Sequence, residues 1–452
     1  MHKRKRKEGL AEMAEEFTKK KEVFEDYETS PVPEEKRYSW YSQGMVWAGI
    51  AFCLVAFAIG GQLAAAMDFK NFIWSLIIGA LILLFFAAAF GVVGARTHLP
   101  SAYTSRFALG VNGAKIFGLI IAISDFGWFG YQCTYFGGSV VTIGQLFNAN
   151  LGSPLLWAVI GGLAMMITAI IGFKGIKYLS DFGTPLLFLL VFIALGITLK
   201  HVPFSEIHAA AVANPISISL PAGITMVVGM MITTTSMLPD ISRYCKRDRD
   251  AFIGALIGFS IAMPLIMFIG GLFYYAYGTA DLNEVFITKC NLGVFAGITL
   301  VIATWTTNDN NLYSSCLGLS NALGEKNKIP RWGLTLIVGL ISTACGVLGI
   351  VDHILGFLSL LGVFMPPIMA AVIADYYLYN RNSDAYDYSI SSKLPGWRLI
   401  PCLSALFGIV VGILCNYTTV FAGILTVIPA SIVAMLAAAL FMVIANTITK
   451  KD

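Results

Sequence analysis

Trp305-Thr306-Thr307-Asn308-Asp309-Asn310-Asn311 sets six consecutive polar side chains inside a stretch, Val294 to Leu319, otherwise suited to hydrocarbon. An unpartnered polar group in such surroundings costs several kcal/mol, about 2–7 on common scales. The run must therefore face other helices, an aqueous cavity, or a bound ion or solute. On a helix Ala303, Thr306, Thr307 and Asn310 fall at i, i+3, i+4 and i+7 and share one face. Two adjacent hydroxyls, joined by carbonyls of a neighbouring unwound helix, make an oxygen cage suited to a small hard cation such as Na⁺. The plainer alternative is interhelical hydrogen bonding by Thr and Asn, at roughly 0.6–2 kcal/mol per bond. Six polar residues in a row cost more than bonds of that size return, which favours the site.

A second constellation, Asp125, Trp128 and Gln132, occupies i, i+3 and i+7 of another apolar stretch. A planar heterocycle can stack on the indole while the amide and carboxylate meet its ring edge. Against this, Trp128 could serve packing or the lipid boundary, and Gln132 a neighbouring helix. Asp125 tips the balance, because a carboxylate this deep in a membrane is rare and functional by default. It is either a substrate acceptor or a titrating proton carrier, and the sequence does not separate the two.

The elements that must position these residues are membrane spans. Of 452 residues, 57% are hydrophobic and 12% charged, where soluble domains carry about a quarter charged. Twelve stretches are long enough to cross a bilayer, which takes about 20 residues. Numbered as spans 1 to 12, they run roughly 44–67, 72–94, 116–147, 154–173, 183–199, 222–238, 252–277, 292–321, 333–350, 353–377, 399–416 and 419–447. They form one transmembrane domain, residues 44–447, between a polar tail (1–43) and a short C-terminus (448–452). Of the 30 Lys and Arg, 27 lie in the tail, the C-terminus and the loops after even-numbered spans, while Lys70, Lys200 and Lys289 lie opposite. That bias puts both termini in the cytoplasm and explains the net charge of +4 without nucleic acid. The eight cysteines show no C-x-x-C pair and read as small buried hydrophobes rather than a metal or disulfide framework.

Two spans look breakable. Span 1 reads Trp47-Ala48-Gly49-Ile50-Ala51-Phe52-Cys53, with Gly60-Gly61 further on; span 6 carries Thr233-Thr234-Thr235-Ser236 before Pro239, a poor mid-membrane helix. These are the first helices of two five-helix halves, as an inverted-repeat transporter requires, leaving spans 11 and 12 as additions. Asp240, Arg243, Asp181 and Asp375 sit near cytoplasmic span ends and read as interfacial charges. The chain has no H-E-x-x-H, G-x-S-x-G or Walker A motif, which argues against an enzyme and against ATP-driven transport.

Trp305 to Asn310, followed by Leu312-Tyr313, closely resembles the span 8 signature of bacterial cytosine permeases. Those belong to the nucleobase:cation symporter-1 family of purine, pyrimidine and hydantoin transporters. The similarity extends to Gly127-Trp128-Phe129-Gly130, to Arg106-Phe107 with Gly110 and Gly113, to Pro239-Asp240-Ile241-Ser242-Arg243-Tyr244 and to Ile373-Ala374-Asp375-Tyr376-Tyr377. It implies an all-α membrane protein of about twelve spans with a five-plus-five inverted repeat (LeuT-type) and two extra C-terminal helices. It also implies Na⁺ held by the carbonyls of Gly49, Phe52 and Ala303 and the hydroxyls of Thr306 and Thr307. Trp128 would stack the solute, Gln132 would bind it, Met231 and Thr233 would form the span 6 wall, and Asn308 would be a polar contact. Two departures stand out: cytosine permeases have glutamine in place of Asp125 and an aromatic ring in place of Met231.

The expected function is a plasma-membrane symporter importing a nucleobase or related flat heterocycle with Na⁺ or H⁺, without an organic cofactor. The alternative is an importer of a vitamin-related pyrimidine or other amino-heterocycle (hydroxymethylpyrimidine, pyridoxine or thiamine-like) with proton coupling through Asp125. A passive channel or receptor is a weaker rival.

Overall fold

The computed structural model describes residues 30–171, 173–324, 329–381, 384–418 and 427–449. The side chains of 42, 43, 45, 171–182 and 331 lie outside the described set, and so do the tail up to residue 29 and the reading of Asp181.

Helices lie on all twelve apolar stretches. Span 1 is two helices, Trp40–Ala51 and Leu54–Ala66, and spans 2 to 6 are Phe69–Thr97, Ser101–Leu146, Pro154–Ile171, Phe173–His201 and Leu220–Ser236. Span 7 runs from Asp248 to Tyr277 through a π-helical segment, Leu256–Ala262. Spans 8 to 12 are Gly293–Leu323, Arg331–Val347, Ile354–Ala374, Leu399–Tyr417 and Ala430–Thr449. A further helix, Phe204–Ala213, joins spans 5 and 6. The first helix begins at Trp40, ahead of the expected boundary.

Local chemistry sets the ends. The Asp68 carboxylate accepts the Asn71 N–H at 3.1 Å and opens span 2, and His98 in a left-handed conformation closes it. Backbone contact sets the crossings. A Cβ on Gly60 would lie 2.0 Å from the Met267 carbonyl oxygen, and one on Gly229 would lie 1.8 Å from that of Leu358. Spans 1 and 7, and spans 6 and 10, therefore pack main chain to main chain, the small-residue solution membrane helices favour.

The end of the bundle that carries the tail is tied together by hydrogen bonds. Val32 N–H donates to the His98 carbonyl at 3.1 Å, Tyr38 N–H to Tyr244 at 2.6 Å, and Lys246 N–H to Tyr38 at 3.1 Å. Asp240 accepts from the Ser101 N–H and hydroxyl at 3.0 and 2.7 Å, capping span 3 from the end of span 6. Burial pushes the Asp240 carboxyl above the usual carboxylate range, and the Ser101 hydroxyl opposes that rise. Asp375, almost fully buried, accepts from Arg398 at 2.7 Å, Tyr386 at 2.9 Å and Asn380 at 3.1 Å, joining span 10 to the start of span 11. Span 3 loses helical geometry at Gly110 (φ 79°), where the Pro395 and Gly396 carbonyls receive the Val111 and Asn112 N–H groups. These contacts tie the described elements of this end together.

Candidate functional site

Span 1 breaks at Phe52 (φ −81°, ψ 71°) and Cys53 (φ −122°, ψ 150°). Cys53 N–H turns to the Ala51 carbonyl at 2.9 Å, and Ala56 N–H to Cys53 at 3.1 Å. A continuous helix would direct those donors to Gly49 and Phe52, so the break removes the helical partner of both carbonyls. Stacking secures the point: the Phe52 ring lies 3.4 Å from that of Phe188 on span 5, at an interplanar angle of 8°. Gly60-Gly61 is not a break; it lies within the second helix and serves the crossing with span 7.

Span 8 is continuous and its polar run divides by face. The Ala303 carbonyl receives both the Thr306 and Thr307 hydroxyls at 3.0 Å, gathering three oxygens within one turn. The Thr306 methyl meets span 5, where a Cβ on Gly183 would lie 3.0 Å away. Of the other polar residues, Asn308 and Asp309 reach neighbouring helices, and Asn310 and Asn311 bond within span 8. Asn308, fully buried, donates to the Phe129 carbonyl at 3.1 Å and also meets the sulfurs of Cys133 and Met165. The Asn310 amide returns to the Thr306 carbonyl at 3.1 Å, and that of Asn311 to Asn308 at 3.4 Å. Trp305 Nε1–H donates to the Thr168 hydroxyl at 3.0 Å, and the single hydrogen of that hydroxyl is within reach of two acceptors, Asp309 Oδ1 at 2.8 Å and the Met165 carbonyl at 2.9 Å. The oxygens that fit a hard cation are thus separate from the groups that fix span 8 to spans 3 and 4.

The span 3 constellation is buried together. Asp125 and Trp128 are each 7% exposed and Gln132 is 1% exposed. Asp125 Oδ2 and both polar atoms of the Gln132 amide have no hydrogen-bond partner. Trp128 meets Phe357 of span 10 edge to face at 5.4 Å, and Tyr131 at 6.4 Å. Met231 and Thr233 are buried on span 6, and the Thr233 hydroxyl shares a hydrogen bond of 2.9 Å with Ser124 of span 3. The threonine run does not unwind. Thr235 and Ser236 donate back to the carbonyls of Ile232 (2.7 Å) and Thr233 (2.6 Å), and the helix stops only at Met237, ahead of Pro239.

At the opposite end from the tail, a cavity of about 560 Å³ opens among Gln62, Ser217, Asp352, His353 and Leu355. Gln62 Nε2–H donates to the Tyr131 hydroxyl at 3.4 Å, and Tyr131 touches the Trp128 ring, so this cavity adjoins the aromatic cluster around Trp128. Phe357, Phe188 and Tyr131 were not among the residues expected from sequence. Their aromaticity alone does not distinguish them from the other rings of this chain.

The helical membrane bundle, with the family and relatives it matches, makes this chain a membrane transporter rather than an enzyme. Residues 31–443 match the family described as permease for cytosine/purines, uracil, thiamine, allantoin. The chain belongs to the nucleobase:cation symporter-1 family. The cytosine permease of Escherichia coli (strain K12) is 26% identical over 388 residues, covering 86% of this chain and 88% of the relative. The hydantoin permease of Microbacterium maritypicum is 24% identical over 374 residues, covering 75% and 73%. The inward-facing conformation of Mhp1 matches with a TM-score of 0.77 at 20% identity over 93% of this chain and 94% of that one. A closed Mhp1 with bromovinylhydantoin bound gives 0.75 at 19% identity over 94% and 95%. The structural likeness shows a shared all-α, multi-pass membrane fold.

Proposed function

We propose that this protein is a symporter that moves a nucleobase or related flat heterocycle across the plasma membrane with a cation, Na⁺ in the leading reading. One observation carries the solute site: Asp125 Oδ2 and the Gln132 amide are buried without partners on either side of Trp128. Buried polar atoms are satisfied in most proteins, so a set of orphans around an aromatic face points to a ligand that completes them. Trp128 stacks the ring, Gln132 offers a donor and an acceptor to its edge, and Asp125 accepts from an N–H or amino group. Met231 and Thr233 form the opposing wall. Asn308 enters only through its carbonyl side, since its amide already serves span 3.

The cation site comprises the carbonyls of Gly49, Phe52 and Ala303 with the hydroxyls of Thr306 and Thr307. The two span 1 carbonyls without helical donors and the three gathered oxygens of span 8 fit a hard ion. Both ligands then favour one conformation, and each raises the other's affinity, typically by about 1–3 kcal/mol of coupling. The tail end, rich in Lys and Arg, is the cytoplasmic one, and the cavity beside Gln62 is the entrance from outside. The five-plus-five repeat has spans 1 and 6 as its paired first helices.

The unpartnered Asp125 supports a second reading, an amino-bearing heterocycle such as a vitamin-related pyrimidine, with Asp125 as the place for a coupled proton.

A thermal-shift screen of pyrimidines, purines, hydantoins and vitamin precursors, run in NaCl and in choline chloride, tests both sites. At least one flat heterocycle should raise the melting temperature, more so in Na⁺, and Trp128→Ala should remove that rise. A rise in Trp128→Ala equal to that of the unsubstituted protein would contradict the platform.

A further inference from the structure

Asp309 stands outside the roles assigned so far. It is fully buried, its Oδ1 accepts from Thr168, and its Oδ2 has no partner. It takes no part in ion pairs seen among the described residues, such as Arg96–Asp248, Lys289–Glu284 and Arg398–Asp375. A buried carboxylate is retained when a positive partner or several donors balance it, and here one hydroxyl does so alone. The oxygens assigned to the cation site are all neutral: three carbonyls and two hydroxyls. Asp309 follows Thr306 by three residues on an unbroken helix, which brings their Cβ atoms to about 5–6 Å. The carboxylate lacks a cation, and the cation cage lacks a negative charge.

We propose that Asp309 is the counter-charge of the cation site, held by Thr168 so that its free oxygen acts on an ion bound at Ala303, Thr306 and Thr307. This rests on the cation reading above. Asp309 is a positioning and electrostatic residue rather than a ligand: it attracts the ion through space. In surroundings of low effective dielectric, opposite charges interact far more strongly than in water. The chain Trp305–Thr168–Asp309 ties that charge to span 4, so its distance from the site is set by the packing of spans 4 and 8.

The test is Na⁺ binding, read as the rise in melting temperature of the purified full-length protein when NaCl replaces choline chloride at constant ionic strength. Asp309→Asn should need at least about fivefold more Na⁺ for half-saturation, and Asp309→Glu should recover part of that loss. A purely structural role for Asp309 would lower the melting temperature equally at every Na⁺ concentration and leave half-saturation in place, which would overturn the proposal. Should Asp309→Asn fail to fold, Thr168→Val keeps the charge but frees it, and unaltered Na⁺ half-saturation there would overturn it too. An unsubstituted protein that responds equally to Na⁺ and choline would sink the cation site itself, and this inference with it. A normal Na⁺ response combined with an unshifted Asp309→Asn would sink only the counter-charge.

Discussion

Thr306 and Thr307 differ from Asn308 and Asp309 in what their side chains touch, although all four adjoin in one run. The threonine hydroxyls turn to the Ala303 carbonyl of their own helix, whereas Asn308 reaches Phe129 and Asp309 reaches Thr168. A cation can recruit hydroxyls held only by a local carbonyl; it cannot easily recruit an amide fixed to another span. Thr307→Ala should therefore weaken Na⁺ binding by about 1.5–3 kcal/mol, the usual worth of a hydrogen-bonding group facing a charge. Na⁺ titration of the melting temperature measures it, and an unchanged half-saturation would remove Thr307 from the cage. The density of the run and the shared face of Ala303, Thr306 and Thr307 were legible in the sequence. The separation of site from support was not, because Phe129, Met165 and Thr168 lie well over a hundred residues away and spacing along one helix says nothing about neighbours.

Helix breaks were half legible. Span 1 does unwind within the expected Trp47–Cys53 stretch, at Phe52–Cys53, while its later glycine pair stays helical because Gly60 is needed where the main chain of span 7 passes. Span 6 stays helical through its threonines, whose hydroxyls return to carbonyls one turn back. β-branching and hydroxyls make a helix intrinsically poor, yet in a tightly packed interior those same hydroxyls have their nearest acceptors in the helix itself. The crossings are stricter. Gly229→Ala puts a Cβ 1.8 Å from the Leu358 carbonyl oxygen and must part spans 6 and 10, at a cost of about 1–3 kcal/mol or more. Gly196→Ala, with nothing within 4 Å, serves as its control and should leave stability unchanged. Melting temperatures of the two variants give the comparison, and equal values would show that the crossing can relax.

For the whole molecule, the positive-residue bias and the count of apolar stretches were enough to set a polytopic all-α protein, since a bilayer dictates span length and loop charge directly. The closure of the tail end was not legible, because it depends on backbone bonds between Val32, Tyr38 and loops far along the chain. Burial at that end holds the His98 imidazole below its usual range, so the structure favours the neutral ring there. The tail end is tied together by these bonds, and a cavity lies beside Gln62 at the other end. Cation-driven accumulation is tested most directly in proteoliposomes with radiolabelled heterocycles chosen by the thermal-shift screen. An inward Na⁺ gradient should drive internal solute transiently above the external concentration, and choline in place of Na⁺ should abolish that overshoot. Passive equilibration to the external concentration, identical with every cation gradient and with an imposed pH gradient, would contradict the symporter.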